Sequence, residues 1–213
     1  MILYGAPVSP YVRKVLAYAA EKGIALELVP VGIGDANPDF IAISPFKKMP
    51  ALKDGDFGIS DSSAIIAYLE AKHPAPVMIP ADPENRARVV WFEEFGDTIA
   101  TAAAGPIFFN TIVAPMFMKQ EGDMAAVENA KTNLLPPVFA YLESVIPASG
   151  FLVGDQLTLA DIAVASPFVN AAHCDVVPDA ATYPKLTAFL AAIHGRPSMA
   201  DWIRRERKML GLT

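Results

Sequence analysis

Ala51-Leu52-Lys53-Asp54-Gly55-Asp56-Phe57-Gly58-Ile59-Ser60-Asp61-Ser62-Ser63-Ala64-Ile65-Ile66 decides how the N-terminal half is read. Two short apolar runs flank Asp54-Gly55-Asp56, the composition of a tight hairpin turn. Asp61-Ser62 then supplies side chains that accept backbone N–H groups at a helix start, and Ile65, Ile66 and Leu69 recur at helical spacing until His73-Pro74 ends the pattern. Outward from this stretch, Ile2-Leu3-Tyr4 reads as a strand. Ser9-Pro10 opens a helix whose inner face is Val12, Val15, Leu16 and Ala19, with Lys22-Gly23 as its stop, and residues 26–31 read as a buried strand. Strand, helix, strand, hairpin, helix is the order of a small α/β unit.

The C-terminal direction is different. Pro74, Pro76, Pro80 and Pro83 crowd a segment that suits a linker. Beyond it only helical periods are found. A helix over 86–104 is expected to kink or stop at Gly105-Pro106, and one over 124–145 is expected to kink or split at Pro136-Pro137. Thr158 and Asp161 form a capping-box pattern ahead of a helix over 158–170, and two more helices are expected over 184–194 and 198–210. The expected division is an α/β domain over 1–76, a linker over 77–85 and an all-helical domain over 86–213. Residues 98–118 carry no charge and are long enough to span a bilayer. Gly105-Pro106, Asn110, Pro115 and the near absence of basic flanks instead favour a buried helix or the wall of an apolar pocket.

Composition narrows the function classes. Of 213 residues, 53% are apolar and 19% charged, which excludes disorder, and the net charge of −6 argues against a nucleic-acid partner. The single cysteine, Cys174, excludes an internal disulfide and fits a reducing, cytoplasmic setting. His73, His173 and His194 lack ligand spacing, so no metal is expected. The opening residues have neither a basic region nor a long apolar run, so no signal peptide is expected. Arg204, Arg205, Arg207 and Lys208 read as a solvated helix face.

Three short motifs carry candidate chemistry. Ser9 at a helix start either caps the helix or offers its hydroxyl, with the positive helix end, to an anion. Pro50 belongs at a strand's first position, and a cis Met49-Pro50 bond would turn the Met49 backbone outward as a hydrogen-bonding edge. Asp61-Ser62 either caps a helix or grips an ammonium group and a carboxylate, the two charged groups of an α-amino acid.

Taken together, Ser9-Pro10-Tyr11-Val12-Arg13-Lys14-Val15, Ser44-Pro45-Phe46-Lys47-Lys48-Met49-Pro50-Ala51-Leu52 and Ile59-Ser60-Asp61-Ser62-Ser63-Ala64-Ile65 resemble the glutathione S-transferase family, serine-type and bacterial-like or tau-like. Gly154-Asp155-Gln156-Leu157-Thr158-Leu159-Ala160-Asp161-Ile162-Ala163, Tyr183-Pro184-Lys185-Leu186 and Arg196-Pro197 extend the resemblance through the second half. It implies an α/β plus all-α architecture, with a thioredoxin-like N-terminal domain followed by an all-helical C-terminal domain. It also implies glutathione as co-substrate, a homodimer and a role in detoxification. By the resemblance, Ser9 hydrogen-bonds the glutathione sulfur. Met49 pairs through its backbone with the cysteinyl part, beside a cis Pro50. Asp61 and Ser62 hold the γ-glutamyl end, and Lys48 lies near the glycyl carboxylate.

A free thiol has a pKa of about 8.5, so a hydroxyl hydrogen bond and a helix N-terminus that lower it by about two units must favour thiolate by roughly 2.7 kcal/mol. Serine where relatives with glutaredoxin-like chemistry have cysteine favours conjugation or peroxide reduction over thiol transfer. The motif also departs from the Ser-Ser-Cys pattern of zeta-type isomerases. Tyr11, Phe108, Phe109 and Ile112, with Met116, Phe117 and Phe46 nearby, are the candidate wall of a pocket for a small hydrophobic electrophile. Two rival readings, a non-catalytic interaction module of the same fold and a carrier of hydrophobic ligands, predict respectively loss of the glutathione-gripping residues and indifference to Ser9. The gripping residues are all present.

Overall fold

The computed structural model describes residues 1–212. Strand β1 (Ile2–Tyr4) pairs in parallel with β2 (Glu27–Val29) and antiparallel with β3 (Ala51–Asp54). Strand β4 (Phe57–Ser60) completes a sheet in the order β2-β1-β3-β4. Parallel pairing of consecutive strands requires a crossover, and α1 (Pro10–Glu21) supplies it. On the opposite face α2 (Pro38–Ile43) closes a small core of Tyr4, Val31, Phe40 and Ala51. The sequence reading did not anticipate α2. It is too short for a periodic signal, but Asn37 caps it by accepting the Phe40 N–H at 3.1 Å, and Pro38 fills its first position. Helix α3 (Ser62–Lys72) packs beside α1 over Leu3 and Leu52, both fully buried.

Helix α4 (Pro83–Glu94), a π-helical turn at Phe95–Ala100, α5 (Thr101–Phe108) and a π-helical segment at Phe109–Met118 run on as one helix from Pro83 to Met118. The helix therefore does not stop at Gly105-Pro106. Proline inside a helix removes one N–H and crowds the carbonyl four residues back, and wider π winding after it, around Pro115 as well, absorbs the misfit. By length and composition this is the one helix among the described residues long and apolar enough to cross a membrane. Here it packs against α8 (Leu159–Ala172), and Gly96 marks a close approach: a Cβ there would lie 2.5 Å from the Ala163 carbonyl oxygen.

Residues 124–145 run on in the same way, as α6 (Met124–Asn129), a π turn at Ala130–Leu134 and α7 (Leu135–Val145), with both prolines in the first turn of α7, so the chain does not divide into separate helices at Pro136-Pro137. Helix α8 (Leu159–Ala172) is the centre of the helical half and buried along nearly its whole length. Its capping Asp161 accepts the N–H groups of Thr158 and Leu152, both at 2.8 Å. Helices α9 (Pro184–His194) and α10 (Pro197–Leu210) close the chain.

The segment between the two halves runs over 73–82, since α3 ends at Lys72 and α4 begins at Pro83. Glu70 pins it, accepting the Met78 and Ile79 N–H groups at 3.3 and 3.2 Å while Lys22 bridges Glu70 and the Pro76 carbonyl at 2.5 and 2.6 Å. The two halves also share buried charge. Arg13 on α1 forks onto Glu206 of α10 at 2.8 and 2.7 Å and donates to the Ser166 carbonyl at 2.7 Å, and His173 meets the same carboxylate at 2.8 Å. Burial alone would raise the Glu206 pKa, but the Arg13 charge and the bonds from His173 and Arg13 outweigh it and hold the carboxyl below its usual range.

Candidate active site

Ser9 is the N-cap residue of α1 by backbone position, yet its hydroxyl makes no capping bond. It is half-buried and lines a cleft of about 1040 Å³ between the two halves. The bland reading of Ser9 as a helix cap therefore fails on its side chain: the oxygen is left for whatever enters the cleft, at the positive end of a helix. Tyr11, one step on, lines the same cleft and donates its hydroxyl to the Asp97 carbonyl at 2.9 Å, which anchors α1 to the long helix. Burial raises the Tyr11 pKa, so this phenol stays protonated.

Opposite lies the loop before β3. Ser44 closes it, accepting the Lys48 N–H at 3.0 Å and donating to the Lys48 carbonyl at 2.6 Å. This sets Lys48 and Met49 into the cleft wall ahead of a cis Met49-Pro50 bond. The sheet ladder begins at Ala51, so Met49 takes no part in it. Asp61 is tied to the same loop by its N–H, which donates to the Pro50 carbonyl at 3.2 Å. It adopts φ 87° and its carboxylate caps α3 by accepting the Ser63 and Ala64 N–H groups, both at 3.0 Å.

Pro50, Asp61 and Ser62 do not line the large cleft but sit along its edge on the loop and helix start that carry Lys48 and Met49. Asp61 is exposed, while Ser62 is buried and its hydroxyl reaches the Asp97 carboxylate at 3.4 Å. Beneath them Lys14, buried, binds Asp97 and Glu93 at 2.5 and 3.0 Å. Burial dominates Asp97 and raises its carboxyl pKa despite that lysine.

The apolar wall differs in part from the sequence expectation. Phe108, Phe109 and Phe117 line the cleft, but Ile112, Met116 and Phe46 do not; Phe46 is 86% exposed. The reason is the winding. Regular α spacing from Thr101 through Gly105 and Phe108 leads to Ile112, whereas the π segment lengthens each turn and brings Val113, Phe117 and Met118 round instead. Ile33, Asn170 and Met209 also line the cleft and were not singled out. Only Asn170 has a readable signal, as one of three polar residues in a largely apolar helix, beside Asp161 and Ser166. Its amide donates to the Val8 carbonyl at 2.9 Å, steadying the loop that carries Ser9.

No group of three or more His, Cys, Asp or Glu suited to a metal ion occurs among the described residues. The lone Cys174 is away from the cleft wall, and burial pushes its thiol up to about 11, which keeps it neutral.

A four-stranded mixed sheet of this order, flanked by helices and followed by a helical half, defines a thioredoxin-like domain joined to an all-helical one. The glutathione S-transferase N-terminal domain profile matches residues 3–77, and the C-terminal domain profile of the same name matches residues 108–206. The chain belongs to the glutathione S-transferase family. It is 33% identical over 202 residues to glutathione S-transferase 3 of Zea mays, covering 92% of this chain and 90% of that one. It is also 31% identical over 173 residues to maleylacetoacetate isomerase of Rattus norvegicus, covering 79% and 76%. A solved glutathione S-transferase from Rhodospirillum rubrum F11 superposes with a TM-score of 0.86 at 26% identity, covering 94% of this chain and 90% of that one.

Proposed function

We propose that this protein is a cytoplasmic, homodimeric glutathione transferase that conjugates glutathione to small hydrophobic electrophiles, with Ser9 as the residue that activates the thiol. The observation that carries this reading is the Ser9 hydroxyl, unspent on capping and set in the wall of a large cleft. Bound glutathione would place its sulfur at the N-terminus of α1, where the hydroxyl donates to the thiolate and the helix end favours the negative charge. Met49 would present its backbone to the cysteinyl unit beside Pro50, and Lys48 would face the glycyl carboxylate. Asp61 and the N-terminus of α3 at Ser62 would take the γ-glutamyl ammonium and carboxylate. The thiolate then attacks an electron-poor carbon held among Tyr11, Phe108, Phe109, Val113 and Phe117, and the leaving group departs with the electron pair of the broken bond. Ser9 stabilises an anion in this scheme and forms no covalent intermediate.

Asp61→Ala would remove the α3 cap and place alanine at positive φ, confusing stability with binding. Asp61→Asn keeps a capping oxygen and tolerates that backbone, so only the charge is lost. Calorimetric titration with glutathione should show saturable binding to wild type that weakens in Asp61→Asn. Absence of binding to wild type would overturn the transferase reading in favour of a module that binds other proteins.

A further inference from the structure

The long helix holds two glycines that the fold treats in opposite ways. Gly96 has a packing reason, the Ala163 carbonyl pressed against it. Gly105 has none. It lies within α5, and a Cβ built on it would meet nothing within 4 Å. Pro106 follows it, and a proline ring crowds the Cβ of the helical residue before it, but Ala114 before Pro115 and Ser166 before Pro167 carry a Cβ in the same setting, so glycine is not required there. What distinguishes Gly105 is that it lines the cleft.

Its place in that wall is specific. Thr101, Gly105, Phe109, Val113 and Phe117 all face the cleft at intervals of four residues. In an α-helix each such step drifts by roughly 40°, so the row would wander away from the cleft. The π winding of Phe109–Met118 corrects the drift and holds the row in line. The row starts beside Tyr11, whose ring neighbours Thr101. Gly105 is the next position outward, the only one in the row without a side chain, between Thr101 and the phenylalanines. The cleft volume also stands at the upper end of the roughly 300–1,000 Å³ usual for ligand pockets.

We infer that Gly105 sets the width of the electrophile site, and that the bare backbone there admits a broad, flat apolar body, a two-ring aromatic electrophile, against the long helix. This rests on the transferase reading and adds the substrate class to it. A ring system lying over Gly105 is walled by Phe108 and Phe109, and a side chain at position 105 would occupy the same space.

The test is calorimetric titration of wild type, Gly105→Ala and Gly105→Leu with S-methylglutathione and S-(naphthylmethyl)glutathione. Neither requires turnover. Wild type should bind the naphthylmethyl conjugate at least about tenfold more tightly than the methyl one, through the apolar area it buries. Gly105→Leu should lose about that factor for the larger conjugate while S-methylglutathione stays within about twofold, and Gly105→Ala should fall between. Unchanged affinity of Gly105→Leu for the naphthylmethyl conjugate would overturn the inference while leaving glutathione binding intact. So would a parallel loss for both conjugates, since that would give the glycine a role other than setting the width of the site. Failure of wild type to bind either conjugate would remove the transferase reading itself, and this inference with it.

Discussion

The two walls of the cleft are built by different rules. The N-terminal wall is set by short-range chemistry: a serine at a helix start and a loop closed by Ser44, next to which an aspartate caps α3 from positive φ. Each feature is fixed within a few residues of sequence. The helical wall has no such local code. Its facing residues come from one long helix, from α8 and from α10, and which of them face inward depends on accumulated winding over several turns. Under the proposed function, the difference separates a constant task, holding one polar tripeptide, from a variable one, fitting an apolar partner by shape.

The strongest way to break the comparison is to remove what holds the walls together. Glu206 and Arg13 are fully buried, and Glu206→Ala leaves that arginine without its carboxylate. A loss of about 3–5 kcal/mol is expected in denaturant unfolding, with both walls lost together. Within the intact fold, Ser9→Ala should lower turnover of every electrophile by roughly 100-fold while glutathione still binds, because one preorganised donor to the sulfur is gone. Equal activity would mean that Ser9 is not the activating group. Asp61→Asn should weaken glutathione by about tenfold in the same proportion for all electrophiles. Phe117→Ala on the other wall should leave glutathione affinity unchanged and alter the ranking of electrophiles by a few-fold, read as kcat/KM ratios. If Phe117→Ala moved glutathione binding as much as Asp61→Asn did, the division of labour would be wrong.

A smaller effect sharpens the contrast between the protein's own thiol and its co-substrate's. With the Cys174 pKa raised to about 11 by burial, thiolate is scarce at neutral pH. Its alkylation by iodoacetamide should rise about tenfold per pH unit from 7 towards 10, without the plateau an ordinary cysteine shows near 9. A plateau below pH 9 would show an exposed thiol and would make Cys174 a second candidate nucleophile.

The same division explains what the sequence made legible. Strands β1, β3 and β4, helix α3 and the capping box at Thr158 are written in adjacent residues, and each is found where its local pattern put it. The positions of Ser9 at a helix start, of Met49 before a cis proline and of Asp61 as the cap of α3 belong to that class, because helix starts and turn geometry are local. Short α2 had only its Asn37-Pro38 start to announce it. Apolar character over 108–117 points to Ile112 and not to Val113 for the wall, but which of them turns inward depends on the π winding, which apolar character does not encode. Proline at 106 and 115 signalled a disturbance, but not whether the helix would break or widen. Met209 reaches the cleft from the far end of the chain, and no local pattern encodes such a meeting.

Helix α1 bears the candidate reactive hydroxyl at one end, while its middle carries Arg13 and Lys14, whose partners Glu206, Glu93 and Asp97 all belong to the other half. A chain cut at the linker would leave two buried cations and three carboxylates facing water on surfaces that had evolved to be dry. The seam visible in the sequence is thus not a seam along which the molecule comes apart. Recombining either half with that of a distant relative would demand a matched charge lock, so the halves are expected to have diversified as a pair, with loops and cleft-facing side chains free to drift around a shared hinge of ions.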